Sequence, residues 1–556
     1  MLAFLLHLAL QQAAAHPAQS PQAQAQAEPL ALVGAAVLEP GGTGWLRGHA
    51  VVVADGRIVS VTAREELPAG GARLDLDGLY LVPGLIDLHT HLLLHPYDET
   101  PWDDQVLRES LELRTIRGVA AAAATLRAGF TTIRDLGTEG AGYADVGLRD
   151  AIRAGIIAGP RVLTTTRAIV AADCYGPAGF DPRWELPQGA EEINGADAMR
   201  RAVRSQIAAG ADWIKVYADF RRQPGAEATP TLSAEELAAA VAEAASAGIP
   251  VVAHATSDAG VRRALDAGIR SIEHGDGASD ETLRAMAALG AVLCPTLAAS
   301  EAVARYAGWD PQDPGQPAPP RLRAARELVG RALTAGVTLG CGSDAGVFAH
   351  GDNAREIELL HACGMPPDQA LRAATLVAAR VLGREGALGV IAPGARADLV
   401  ALAADPLADP RALRRPALVM QDGRIAHDGR GQAREAEVIA WCERFLDDWS
   451  KRRFDAAQTA FTPGATVAIS VPSRNLTRLT TARKFIEQAR PALEAAPEFR
   501  EWISGPVTAR VDGDIAMVWA PFRTSSASGE THGVDAFQLV RSEGRWRIAS
   551  LAFTSR

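Results

Sequence analysis

A chain of 556 residues with 56 basic and 66 acidic side chains, a formal charge of −10, is too long for a single core. Its basic residues are scattered and form no stripe that could track a phosphate backbone, which sets nucleic acid aside as a partner. Five cysteines (Cys174, Cys294, Cys341, Cys363, Cys442), odd in number and without CxxC spacing, argue against both a disulfide framework and a thiolate zinc site.

Residues 2–15 form an apolar, Ala-rich stretch, and a Gln/Ala/Pro tract follows up to Glu28. No Lys or Arg precedes the stretch, but its length and the small residues after it have the form of a secretory signal peptide. The expectation is a signal peptide and disordered tract over 1–28 and a periplasmic or secreted location. No later run reaches the ~18 consecutive apolar residues of a membrane-spanning helix.

From Pro29 to Tyr80 short β-rich runs are broken by turns, and Asp55-Gly56 between two apolar runs predicts a hairpin. The same character returns over 393–433, where Asp422-Gly423 lies between Ala417–Gln421 and Arg424-Ile425. Neither piece has the apolar surface to fold alone, so the two are expected to pair into one small β-sandwich that the chain leaves and re-enters.

Between the pieces, over 81–392, eight apolar runs alternate with helical patterns: Leu81 to His89, Phe130 to Asp135, Arg161 to Thr166, Trp213 to Tyr217, Val251 to His254, Ser271 to His274, Ala291 to Pro295 and Thr338 to Asp344. The intervening helices include Asp104 to Ala128, Ser233 to Ala247 and Arg321 to Ala335. Strict alternation predicts an α/β fold, a (β/α)8 TIM-like barrel with its chemistry at the carboxyl ends of the strands. The segment Ala168 to Asn194 is rich in Gly and Pro and too long for a plain connector, so it is a candidate lid.

After Gly431 the pattern changes. A helical face carries Val438, Trp441, Phe445 and Trp449, a second helix falls near Thr481 to Glu494, and strand-like runs follow at Pro506–Val511, Ile515–Arg523, Val534–Arg541 and Trp546–Phe553. Helices followed by an antiparallel sheet make an α+β unit over 434–556. Its pattern resembles the cone-like folds related to nuclear transport factor 2 (NTF2-like). Asp535 and His532, near a strand start, either line a pocket there or are exposed, and exposure is favoured.

The barrel's strand ends carry the polar signal. His89 and His91 end strand one, Lys215 lies on strand four, His254 on strand five, His274 on strand six and Asp344 on strand eight. Brought together, four imidazoles and a carboxylate hold a divalent transition metal, with imidazole favouring zinc. Tyr217 shares the strand face of Lys215, and Tyr175 and Arg167 in the long segment could reach the barrel mouth. His350 follows strand eight on the same side, and Asp352 or Asn353 there fits a helix cap. These four (Tyr217, Tyr175, Arg167 and His350) are the substrate-binding candidates. Glu273, beside His274, is expected on the opposite strand face in a structural role. His95, Asp98, Glu99, Asp103 and Asp104 follow strand one and either shape the pocket rim or are solvated.

The motifs Pro-Gly-Leu-Ile-Asp-Leu-His89-Thr-His91, Ile214-Lys215-Val216-Tyr217, Val252-Ala253-His254-Ala255, Ile272-Glu273-His274-Gly275 and Gly342-Ser343-Asp344, in this order, resemble the metal-dependent amidohydrolase superfamily, in its imidazolonepropionase-like and prolidase-like branch. The resemblance spans about Pro29 to Gly429. It implies two metal ions, one held by His89, His91 and Asp344 and the other by His254 and His274, with Lys215 carboxylated by CO2 and bridging. It also implies a metal-bridging hydroxide as nucleophile, Asp344 as general base and then acid, and hydrolysis of a linear amide C–N bond in a dipeptide, an Xaa-Pro-type substrate or an N-acyl amino acid. Where some prolidase-like members carry an aromatic residue shortly after the fifth-strand histidine, this chain reads His254-Ala255-Thr256-Ser257. Two alternatives stay open: a cyclic amide hydrolase of the imidazolonepropionase type, and an inactive barrel that binds a small molecule. The expected partner is a small-molecule or dipeptide substrate, and a homo-oligomer through the C-terminal unit is left open.

Overall fold

The computed structural model describes residues 28–555 apart from 182, 222–225, 312, 314, 472–475, 497, 528 and 543. The expected signal peptide falls on residues 1–27, outside the described residues. Among the described residues no helix is long and apolar enough to cross a membrane. The chain divides into two compact units. One runs to Leu399 and includes Ala404–Arg411 and Met420–Arg424; the other comprises Val400–Ala403, Ala412–Val419 and Ile425–Arg556.

In the first unit the chain opens with a four-stranded sheet in the order Arg57–Ala63, His49–Ala54, Leu30–Val33, Ala72–Asp75. The later segment returns to it through backbone bonds: Ile58 N–H donates to Ala395 O (2.9 Å), Gly394 N–H to Ile58 O (2.8 Å) and Ala397 N–H to Gly56 O (2.9 Å). Both Asp-Gly turns are left-handed at both positions, with φ of 48° and 75° at Asp55 and Gly56 and 48° and 74° at Asp422 and Gly423. This is the turn geometry that matches strand twist. A Cβ on Gly56 would stand 3.3 Å from Asp422 O, so the two turns lie against each other.

Eight strands form the barrel: β1 (Leu85–Thr90), β2 (Phe130–Asp135), β3 (Arg161–Thr164), β4 (Ile214–Tyr217), β5 (Val251–Ala255), β6 (Ser271–His274), β7 (Val292–Cys294) and β8 (Thr338–Leu339). β1, β2 and β3 pair in parallel, as do β4 through β8 in sequence. The ring closes where Asp212 N–H donates to Thr164 O (2.8 Å) and where Leu88 N–H donates to Cys341 O (2.8 Å). Serine caps open several of the alternating helices. Ser110, Ser257 and Ser279 each accept a first-turn N–H, and Ser233 forms a reciprocal box with Glu236.

Three expected elements are shorter than the apolar pattern suggests. The run Leu81 to His89 breaks at Gly84 into Tyr80–Pro83 and β1, because a Cβ at Gly84 would collide with Thr131 Oγ1 at 2.2 Å. The helix expected over Asp104 to Ala128 is two helices, Trp102–Arg108 and Leu111–Arg127, divided where Ser110 caps the second. The eighth strand ends at Leu339, not Asp344. Beyond it the chain runs so close to β1 that a Cβ on Gly342 would meet His89 Cβ at 2.9 Å.

In the second unit a long helix, Arg430–Ser450, is followed by Phe454–Thr459 and Ala482–Glu494 and a seven-stranded sheet. Val438, Cys442, Phe445 and Trp449 put one helix face into a core shared with Phe461, Phe537 and Trp546. The sheet is not wholly antiparallel. Phe461–Val471 pairs in parallel with the final strand Arg545–Ser555, a pairing open to it because the rest of the sheet supplies the long crossover between them.

Asp535, expected to be exposed, is buried beside this core with 3 % of its surface exposed, and its Oδ2 has no hydrogen-bond partner among the described residues. Burial and the nearby Glu501 push its carboxyl well up, and burial also raises Glu501 to about 7. An acid whose pKa is higher folded than unfolded stabilises the fold only while protonated. Stability contributed here is full below about pH 4 and is lost as pH rises through neutrality. Asp535→Asn is therefore expected to slow hydrogen exchange of the Gly529–Ser542 strand at pH 8 by about tenfold, roughly 1.4 kcal/mol, relative to wild type, with no difference at pH 4. An equal gain at both pH values would refute this.

Candidate metal centre and its surroundings

The centre is assembled by the closure of the barrel. Asp344 N–H donates to His89 O (2.7 Å) and His91 N–H to Ala345 O (2.8 Å), so the backbone beyond β8 is laddered to the end of β1. One nitrogen each from His89 and His91 and an oxygen of Asp344 lie within 4.8 Å of one another. His91 Nε2 stands 3.3 Å and His89 Nε2 3.6 Å from Asp344 Oδ1. The His274 ring lies 5.2 Å from that of His89 and 4.5 Å from that of His254, and Lys215 is buried with 1 % exposed.

The proton positions on two imidazoles follow from their partners. His89 Nδ1 faces Glu273 Oε2 at 2.8 Å and His91 Nδ1 faces Gly137 O at 2.9 Å; both partners only accept, so both Nδ1 atoms donate. The two Nε2 atoms are left to face Asp344. This is the tautomer a metal ligand needs, fixed from behind. His274 Nδ1 is held by Thr296 Oγ1 at 2.8 Å.

Glu273 does more than the sequence suggested. It lies on the strand face opposite His274, but that face is the barrel interior. There it binds both His89 and Arg134, whose Nη2 is 2.8 Å from Glu273 Oε1. Next to it, His274 has φ 72° and so turns out of the strand's alternation toward the mouth. Glu139, Thr166, Thr296 and Asp344, each at or just past a strand end, share that left-handed backbone, with φ between 49° and 61°. Each such residue costs on the order of 1 kcal/mol or more, and the cluster of them marks this rim as functional.

Asp87 lies inside the first motif, which gave it no role. It accepts from the N–H groups of His89 and Ser343 and from Asn353 Nδ2 (2.8 Å), tying β1 to the turn that carries Asp344. Burial raises its carboxyl to about 6. Its sequence signal is an acid inside an otherwise apolar, fully buried strand. Asp219, also unmarked, accepts from the N–H groups of Thr256 and Ser257 and fixes the turn after β5.

Electrostatically the site wants positive charge around one carboxylate. Burial would raise Asp344, but His89, His91 and His274 hold it well below the usual carboxylate range. Burial lowers His91, yet the hydrogen bond and charge of Asp344 outweigh that and raise it to about 9. Burial takes His89 to about 4 and His254 and His274 well below the ordinary imidazole value, so these rings are neutral donors near pH 7. His89, neutral with its Nε2 lone pair toward the carboxylate, and His91, which would give up its Nε2 proton on binding a cation, fit a divalent ion of the imidazole-favouring kind.

The substrate candidates separate. Tyr217 stacks on His254 (centroids 4.4 Å, planes 14° apart), and Tyr175 packs on Tyr217 at 4.8 Å. The long segment bearing Tyr175 is anchored at both ends, since Ile169–Ala171 pairs with Glu191–Ile193 and joins β4 at Val216. Tyr175, Trp102, Phe220 and Tyr97 also line one wall of a cavity of about 600 Å³. Arg167 is drawn aside by Glu191, 3.5 Å away. His350 donates from Nε2 to His91 O (3.1 Å) and its Nδ1 meets Thr125 Oγ1 at 3.4 Å, so its ring supports the backbone of His91 and has no nitrogen left for substrate. Asn353 binds Asp87, a tie between elements rather than only a helix cap. His95 pairs with Glu109 (2.9 Å) and Glu99 (3.3 Å).

A parallel barrel with histidines and an aspartate converging at its carboxyl end is the architecture of metal-dependent hydrolases. Residues 80–426 match the amidohydrolase family and residues 31–81 the NagA composite domain; the chain belongs to the amidohydrolase family and is a hydrolase acting on carbon–nitrogen bonds. An uncharacterized protein of Mycobacterium tuberculosis is 32% identical over 377 residues, 67% of this chain and 90% of its own length. Ochratoxinase of Aspergillus niger is 30% identical over 423 residues, 70% of this chain and 84% of its own. A crystal structure of a prolidase complexed with N-methylphosphonate-L-proline superimposes with a TM-score of 0.63 at 31% identity, covering 71% of this chain and 99% of that one.

Proposed function

We propose that this chain is a metal-dependent amidohydrolase that cleaves a linear amide C–N bond in dipeptides, Xaa-Pro-type substrates or N-acyl amino acids. The observation that carries it is the His89, His91 and Asp344 cluster, with both Nδ1 protons held by acceptors and both Nε2 atoms directed at the carboxylate. The likeness to a prolidase and to an Xaa-Pro dipeptidase, at 31% and 28% identity, supports a linear amide, and the more distant likeness to imidazolonepropionase, at 27%, keeps the cyclic amide as the alternative.

In this reading His89, His91, Asp344, His254, His274 and Lys215, the last carboxylated by CO2, would hold two metal ions; zinc suits the imidazoles. When bound, the metals supply Lewis acidity and activate water near neutral pH. Asp344, its carboxyl kept ionised by three imidazoles, takes the proton of the attacking water and passes it to the departing amine. Glu273 holds the His89 ring in place, and Tyr217 with Tyr175 walls the site and excludes water. The apolar stretch over 2–15 supports a periplasmic or secreted site of action, suited to a scavenging peptidase. The C-terminal unit is read as NTF2-like, a candidate for dimerisation.

A panel of dipeptides, Xaa-Pro dipeptides, N-acyl amino acids and cyclic amides, offered to metal-loaded protein, tests the reading. Turnover of linear amides is the expected result. Turnover of cyclic amides alone would replace it with the imidazolonepropionase-type reaction, and stoichiometric metal with no turnover of any would favour a binding barrel.

A further inference from the structure

Just beyond the metal cluster lies a carboxylate that the reaction as derived does not use. Glu139 follows β2, has a left-handed backbone (φ 49°) and keeps 2 % of its side chain exposed. Its Oε2 accepts from Trp102 Nε1 (3.0 Å) and from the Tyr175 hydroxyl (2.5 Å). Its Oε1 has no hydrogen-bond partner among the described residues and stands 3.9 Å from His91 Nδ1, whose proton is already given to Gly137 O. The nearby Arg114 directs its guanidinium to the backbone carbonyls of Leu93, Thr138 and Glu139. A buried carboxylate oxygen left without a donor costs on the order of 1–3 kcal/mol, so its retention calls for a ligand or a strain role.

The surroundings choose the ligand. Rings run in contact from Trp102 to Tyr175 (5.1 Å) to Tyr217 (4.8 Å) to His254 (4.4 Å), so the carboxylate heads a row of π faces that ends at the metal cluster. A carboxylate combined with aromatic faces is the chemistry that receives an ammonium group. Glu139 Oε1 stands 3.9 Å from Nδ1 of the candidate ligand His91, beside the cluster.

We propose that Glu139 receives the free α-ammonium of the substrate, so that among linear amides the enzyme selects unblocked dipeptides over N-acyl amino acids. This rests on the linear-amide reading above. The substrate ammonium takes the place of the Tyr175 hydroxyl on Oε2 and gives Oε1 the donor it lacks. Glu139 is a specificity residue; it takes no part in bond cleavage.

The test compares alanyl-proline with propionyl-proline, which differ only by the amine, on wild type and Glu139→Gln, whose amide oxygen still accepts from Trp102 or Tyr175. Wild type is expected to favour the alanyl substrate about 10–100-fold in kcat/KM. In the variant that preference falls to within about threefold, because kcat/KM falls further for alanyl-proline than for propionyl-proline. The wild-type preference also fades above about pH 8, where the substrate amine loses its proton. Equal loss on both substrates would make Glu139 only a support for His91 and overturn the proposal, as would a wild type with no preference. If neither substrate is cleaved, the Xaa-Pro form of the linear-amide reading fails, and isothermal titration with alanine amide still decides the inference. Binding to wild type and not to Glu139→Gln sustains it; equal binding or none overturns it.

Discussion

Protein purified with bicarbonate present is expected to carry about two zinc-like ions per chain, and Lys215→Ala to lose at least the greater part of them. Lys215 is buried, and burial brings its amine down to about 8 despite the attraction of Glu273 and Asp344. At pH 7 about one such amine in ten is neutral, against roughly one in 2,500 for an unshifted lysine. Only the neutral amine adds to CO2, so the environment that makes an ammonium a poor neighbour for cations also favours its conversion to a carbamate anion. Preparation without CO2 should lower metal content in wild type and change nothing in Lys215→Ala. Lys215→Glu, which restores an anion on a chain of similar reach, should retain more metal than the alanine variant. Elemental analysis of the three proteins, with and without bicarbonate, settles the bridge. A Lys215→Ala protein with undiminished metal would remove it.

The second large effect is expected at Asp344→Asn. Asparagine is among the few non-glycine residues that accept a left-handed backbone, so the φ of 61° at this position is kept and the fold with it. What is lost, on the proposed mechanism, is the base. A fall in kcat on the order of 10²–10⁴ is expected at saturating metal, with KM little changed. The charge lost from the centre also releases His91, whose raised pKa depends on Asp344, so its imidazole should titrate well below about 9 in the variant. NMR titration of His91 in metal-free protein therefore reports the electrostatic change independently of turnover. Retained kcat at full metal occupancy would move the proton-transfer role to another group.

The polar positions at or near the strand ends stood out because an apolar run buried on both sides carries few His, Lys or Asp residues, and these fall mostly where the chain approaches or leaves the barrel mouth. His89, His91 and Asp344 obey it and converge. Glu273, Asp87 and Glu139 were not legible. Glu273 and Asp87 sit inside apolar strands and are tolerated only because distant residues supply donors, Arg134 and His89 for the first and Ser343 and Asn353 for the second. Glu139 sits in a loop and gains its setting from Trp102 and Tyr175, elements 37 and 36 residues away. His350, placed on the right side of the barrel by sequence, faces the backbone of His91 because the turn after β8 rotates it there.

By itself the sequence determined the alternation of strands and helices, the return of the chain to its opening sheet, and the His89, His91 and Asp344 cluster. All three follow from local rules of periodicity, turn chemistry and side-chain affinity, which a linear pattern carries. Only the tertiary structure decided which nitrogens of His89 and His91 carry the proton, which carboxylates serve the histidines, and which carboxylates, Glu139 and Asp535 among them, keep an oxygen unsatisfied among the described residues. Those depend on hydrogen bonds between residues up to 266 positions apart, formed in a water-free interior where each unpaired polar atom is costly, and no local pattern specifies such a partner.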